Sequence, residues 1–229
     1  LVTSNFKKVT LVYNGANTFQ FDFLNDYPQI QSVVWCPPAG QTGFSALGEV
    51  LAGETNPSGK TSDTFLKNLT KSVSYNNFGK FEYTNMADKA AKYKGFTGDD
   101  VTAIPGFVNY SEGIYVGYKF YETASDEGLI NYDDTVAFPF GYGLSYATFE
   151  IADVAVAKTG ANTATVTATV TNTGDKAGKD VVEVYYNPPY TEGGIEKASA
   201  NLVGFEKTEK LEPGASEDVT VEFEDDDMA

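Results

Sequence analysis

The chain has 229 residues, 41% of them hydrophobic, and a formal net charge of −16 with neither Arg nor His. This length suits one large or two small domains with real apolar cores. The charge argues against nucleic acid and anionic membrane surfaces as partners, because their phosphates demand Lys and Arg, and no apolar run reaches the length of a membrane span. The missing residue types exclude histidine-based triads, histidine metal sites and bidentate arginine recognition. Cys36 is the one cysteine, so neither a disulfide framework nor a thiolate metal site is expected, and Cys36 reads as a buried structural thiol. No cofactor or metal is expected.

The first third alternates strands and helices. Lys8 to Tyr13 is a β-branched run ending at Asn14-Gly15, the pattern of a strand closing in a tight turn. Phe19 to Leu24 is a mixed apolar stretch, broken by Asp26, Tyr27 and Pro28. Ile30 to Cys36 is a second buried-type strand stopped by Pro37-Pro38. Phe44, Leu47, Val50 and Leu51 then recur at helical spacing, with Gly53 placed to cap the C-terminus. This order predicts an α/β layer with parallel strands. From Lys67 to Gly106 the pattern loosens into a long surface excursion, with a short helix predicted around Met86 to Tyr93.

The stretch from Tyr110 to Phe149 is a junction. Aromatics and glycines alternate from Tyr110 to Glu122 and again from Phe138 to Tyr146, too densely for a free linker. Gly141 and Gly143 stand between packed aromatics, and at least one of them is expected in a backbone conformation closed to other residues. Beyond the junction the chain reads as strands alone: Thr163 to Thr171, Asp180 to Tyr186, Leu202 to Glu206 and Val219 to Phe223, with turns at Asn172–Asp175 and Glu212–Gly214. About five strands are expected where a complete sandwich of this kind has seven.

Several features resemble chemistry only superficially. Gly53 to Lys60 (GETNPSGK) has phosphate-loop flavour but follows a helix and lacks the required spacing. Asn14 could face a ligand at a sheet edge, although a turn-forming Asn before Gly is the simpler reading. Asp133-Asp134 is a doubtful metal pair, because adjacent side chains diverge.

Trp35 to Phe65, Tyr110 to Tyr121 and Phe138 to Phe149 (FPFGYGLSYATF) resemble glycoside hydrolase family 3, which holds β-glucosidases and related retaining exo-glycosidases. Val170 to Tyr186 and Leu202 to Gly214 resemble its fibronectin type III-like domain. The resemblance implies an α/β plus all-β fold: a partial α/β sandwich over residues 1–146, incomplete at its N-terminal side, then a fibronectin type III-like β-sandwich over 147–229 lacking its last strand.

The family's enzymes carry a (β/α)8 barrel that supplies an Asp nucleophile, and their α/β-sandwich domain supplies a Glu acid/base from a loop preceding the strand that matches Lys8 to Tyr13. The resemblance therefore places both catalytic carboxylates outside these residues, and no catalytic residue is assigned. Glu112, in an aromatic frame, is expected to be structural or to support the cleft from behind, as are Gly141 and Gly143. The implied function is a non-catalytic segment of a retaining β-glycosidase, with a β-glucoside or oligosaccharide as substrate and the barrel-bearing polypeptide as partner. The alternative is a stand-alone carbohydrate-binding or adhesive module. If the segment is incomplete, Val9, Leu11 and Val33 should lie in a sheet extended by other polypeptide, and the strand holding Val219 and Val221 should pair beyond the chain.

Overall fold

Val9, Leu11 and Tyr13 alternate with Thr10 and Val12, so one face of strand β1 (Val9–Tyr13) turns inward. In the computed structural model, which describes residues 1–77, 79 and 81–228, β1 pairs in parallel with β2 (Ile30–Trp35). The connection between them holds a 3-10 turn, Asp22–Asp26. Phe21 is buried there, its ring 5.9 Å from Tyr13 and 6.0 Å from Phe65. Trp35 donates its indole N–H to the Gly15 carbonyl at 2.8 Å, which ties the two strand ends together. The predicted helix forms at Phe44–Ala52, and Gly53 ends it in the left-handed region with φ 76°. Its apolar face is only partly covered: Leu47 and Val50 are half-buried, whereas Phe44 and Leu51 are 52% and 49% exposed. Beyond it the chain enters β3 (Phe65–Leu66), both residues fully buried. Burial of each such side chain contributes about 1.5–3 kcal/mol.

Residues 68–113 form a separate compact unit. In it β4 (Phe81–Glu82), β5 (Ala91–Lys94), β6 (Asp100–Ala103) and β7 (Gly106–Phe107) make two antiparallel pairs, β4 with β7 and β5 with β6. The helix predicted around Met86 to Tyr93 does not form. A 3-10 turn spans Ala87–Lys89, and the residues after it enter β5. The physical reason is the turn after β5, where the Gly95 N–H bonds to the Asp99 carbonyl at 2.8 Å and aligns Lys94 with Asp100. A full ladder of cross-strand bonds outweighs the propensity of a helix too short to propagate.

The remainder, residues 1–67 with 114–229, is one compact unit. In it β8 (Val136–Phe138) pairs with β3, and the helix Tyr118–Asp126 packs Tyr121 against Leu66 and Val136. That helix was not legible in the sequence, because its aromatics continue the pattern of the preceding stretch. The sandwich follows. One sheet has the order β13-β10-β9, from β9 (Phe149–Lys158), β10 (Thr163–Asn172) and β13 (Ser216–Glu224); the other pairs β11 (Val181–Tyr186) with β12 (Asn201–Lys207). Val170, Val182, Leu211 and Val219 form its core, and Val221 is buried beside them on β13. Asn172 is buried yet satisfied: its amide donates to the Lys176 and Leu211 carbonyls at 2.8 and 2.9 Å and accepts from the Gly174 N–H at 2.9 Å. This fixes the turn after β10. Strand β9 breaks its alternation at Asp153, which has φ 50°. Phe149 at the start of β9 packs against the core, but Val156, which pairs with buried Val166, is 70% exposed, so the later part of β9 is left uncovered.

Candidate functional site

The loop Asn56-Pro57-Ser58-Gly59-Lys60 leaves the helix Phe44–Ala52 and returns to β3, and its polar groups face the sandwich. Asn56 is the hub. Its Oδ1 accepts from Ser145 Oγ at 2.8 Å and from the Tyr146 N–H at 2.7 Å, while its Nδ2 donates to the Ala177 carbonyl at 3.0 Å. Three of the four hydrogen bonds open to an Asn side chain are thus made across the junction. Lys60 Nζ pairs with Asp180 Oδ1 at 2.8 Å and also donates to the Gly143 carbonyl at 3.3 Å. From the other side, Lys207 Nζ donates to the Ser58 carbonyl at 3.2 Å.

The segment Phe138–Tyr146 lies under this loop. Thr61 Oγ1 donates to the Pro139 carbonyl at 2.6 Å and accepts from the Tyr142 N–H at 3.0 Å. The Thr61 N–H reaches the Tyr142 carbonyl at 2.7 Å, and the Gly141 N–H reaches the Thr61 carbonyl at 2.8 Å. Gly141 has φ 76°, and a Cβ there would collide with the Glu183 carboxylate. Gly143 lies outside the left-handed region, but a Cβ on it would strike the Gly59 carbonyl. The two glycines therefore serve different needs, one conformational and one of close approach.

Tyrosines complete the junction. Tyr118 accepts the Leu202 N–H at 2.7 Å, and its ring stands 4.7 Å from Phe140 and 5.9 Å from Tyr185. Tyr185 donates to Glu183 at 2.7 Å, and Tyr132 donates to Glu122 at 2.6 Å. Partial burial first, and then the bonded carboxylate, push both phenols well above the ordinary tyrosine value. Burial likewise raises the Asp63 carboxyl, partly opposed by its bond from the Thr64 N–H.

Glu112 lies in the 68–113 unit, half-buried, and among the described residues its carboxylate makes no hydrogen bond or ion pair. The Asn14 amide donates to the Cys36 carbonyl at 2.8 Å and so joins the ends of β1 and β2. Cys36 is a free, half-buried thiol. Asp133 and Asp134 occupy the first turn of the short helix Tyr132–Thr135, where Asn131 Oδ1 accepts the Asp134 N–H at 3.1 Å. Among the described residues no group of three or more His, Cys, Asp or Glu is arranged to hold a metal ion. Asn56 and Lys60 are the residues that sequence reasoning missed. Their signal was present, as polar groups in a Pro/Gly loop, but their partners lie far along the chain.

Fold and junction together define a class: an α/β layer fastened by a polar clamp to a fibronectin-like β-sandwich. The glycosyl hydrolase family 3 C-terminal domain matches residues 1–118, and the fibronectin type III-like domain matches residues 180–229. Beta-glucosidase A of Butyrivibrio fibrisolvens is 34% identical over the whole of this chain and 26% of its own length. An exo-alpha-(1->6)-L-arabinopyranosidase of Bifidobacterium breve is 39% identical over 81% of this chain and 20% of its own. Among solved structures, a beta-glucosidase from Paenibacillus barengoltzii aligns over 97% of this chain and 21% of its own, with a TM-score of 0.75 at 32% identity. Beta-glucosidase 3B from Thermotoga neapolitana, in complex with alpha-D-glucose, aligns over 97% of this chain and 26% of its own, with a TM-score of 0.73. The chain belongs to glycoside hydrolase family 3, and it spans about a fifth to a quarter of the length of these relatives.

Proposed function

We propose that the chain is a non-catalytic part of a retaining β-glycosidase that removes terminal β-D-glucosyl residues, and that it scaffolds the acid/base side of the active-site cleft. The clamp is the observation that carries this reading. A retaining mechanism needs two carboxylates about 5–5.5 Å apart, and small displacements of either are costly. Asn56, Lys60 and Asp180 give the α/β layer a fixed seat on the sandwich, which is the property such a support requires. The boundary between the two parts falls at residues 146 and 147, just before β9 begins. Phe44, Leu51 and Val156, all exposed, are surfaces that the barrel-bearing polypeptide and the rest of the enzyme cover. Glu112 is structural or supports the cleft from behind, and takes no part in bond breaking. The names of the relatives supply the substrate class.

The test has two arms. The chain alone should not hydrolyse an aryl β-glucoside, and turnover abolished by Glu112→Gln would make Glu112 catalytic instead. In the intact enzyme, Lys60→Met should lower kcat several-fold with KM little changed. An unaltered kcat there would remove the scaffolding role.

A further inference from the structure

A cavity of about 420 Å3 opens between the C-terminal half of the helix Tyr118–Asp126 and the loop that joins β11 to β12. This volume is within the range of small-molecule sites. One hydrogen bond ties the loop to the helix and another braces the loop internally. The Ser199 N–H donates to Thr123 Oγ1 at 2.9 Å, and Lys197 Nζ donates to the Pro189 carbonyl at 3.0 Å. Ala198, between those two residues, is buried.

The lining is of two kinds. Tyr115 and Tyr190 contribute aromatic rings, and Asp126, Glu127 and Glu196 contribute carboxylates. Ser199 also lines the cavity, and its buried Oγ has no hydrogen-bond partner among the described residues. A buried hydroxyl without a partner costs free energy unless something else satisfies it. The Tyr115 phenol, raised by burial and by Glu196, Tyr190 and Glu127, is a donor at neutral pH as any tyrosine is.

The chemistry of these groups selects the ligand. The carboxylates outnumber the single Lys197 ammonium, which is already bonded to a carbonyl, so phosphates and acidic sugars are repelled. The carboxylates do not form a metal-binding group. Acidic acceptors beside tyrosine side chains and a free hydroxyl match a molecule with many hydroxyl donors and apolar ring faces. We propose that this cavity, lined by Tyr115, Tyr190, Glu196 and Ser199, is a binding site for a neutral oligosaccharide. The choice of a β-glucan as first probe rests on the proposed function; the site itself rests on the cavity.

The test is isothermal titration of the chain with cellotriose, xylotriose and, as a cationic control, spermidine. Binding of a neutral trisaccharide should weaken by about tenfold or more in Tyr190→Ala and in Glu196→Gln. Both residues are exposed on the loop, so the thermal midpoint should be unchanged. Tyr110→Ala, at an exposed ring in the 68–113 unit, should leave binding intact. Binding of xylotriose alone, lost in the two loop variants, upholds the site and counts against the β-glucoside reading. Binding of spermidine alone, binding of nothing, or sugar binding insensitive to Tyr190 and Glu196 overturns the inference. None of those three results bears on the role of the clamp.

Discussion

Lys60 and Asp180 meet at 2.8 Å where the α/β layer joins the fibronectin-like sandwich, and both side chains are mostly shielded from water, 23% and 18% exposed. Such a pair is screened by salt far less than a surface pair. Removing one member strands the other charge in a partly dry place, which costs more than the pair itself contributes. Lys60→Met or Asp180→Asn should therefore lower stability by about 1–3 kcal/mol. The double substitution should cost less than the sum of the two single ones. Urea denaturation of the four proteins measures this, and strict additivity would mean that the pair is not coupled.

Asn56→Ala removes one donor and two acceptor interactions at once, leaving the Tyr146 N–H and the Ala177 carbonyl without these partners. The expected loss is about 2–3 kcal/mol. Hydrogen exchange at the Tyr146 amide should accelerate more than at Val170 in the sandwich core. Equal acceleration at both would point to global destabilisation rather than a local opening of the clamp.

At Gly141 and Gly143 the two kinds of steric demand can be separated. Gly141→Ala meets a left-handed φ and a carboxylate, whereas Gly143→Ala meets a backbone carbonyl that cannot rotate away. Both should destabilise by more than the ~1 kcal/mol usual for a point substitution. Glu183→Ala should relieve part of the Gly141→Ala penalty and none of the Gly143→Ala penalty. Thermal midpoints of the single and double variants decide the matter.

The raised Tyr185 and Tyr132 phenols give the protein an alkaline limb. Each folded-state value lies above the unfolded one. The stabilisation is therefore fully present below the ordinary tyrosine value near pH ~10 and is lost as pH rises beyond it. Tyr185→Phe should flatten the fall in stability above that pH without changing its value near neutrality by the same amount. In a spectrophotometric titration, the Tyr185→Phe chain should lose a phenolate that appears only at or beyond unfolding, and an early-titrating one would contradict the assignment.

The regular elements were legible wherever a short apolar run or a regular period is bounded by turn residues. Strands β1 and β2 follow from short β-branched apolar runs, β10 follows from strict alternation, and the Phe44–Ala52 helix with its Gly53 cap follows from a 3.6 period and a left-handed terminus. Strand β9 was not, because Asp153 interrupts its alternation and its outer positions carry Ala and Val with no covering sheet. The Met86–Tyr93 segment misled for the opposite reason. Its local helical pattern was real, but the hairpin register of Lys94 with Asp100 overrode it.

By itself, the sequence determined the order of an α/β layer and a β-sandwich, the lack of histidine and arginine side chains, and the family to which the motifs point. These properties live in composition and in patterns a few residues long. Only the tertiary structure decided what the junction is made of. Asn56 finds its partners 90 and 121 positions away, and Lys60 pairs with Asp180 on the far side of the sandwich boundary. No local pattern encodes such contacts, because a hydrogen bond constrains the distance between two groups and not the length of chain that separates them.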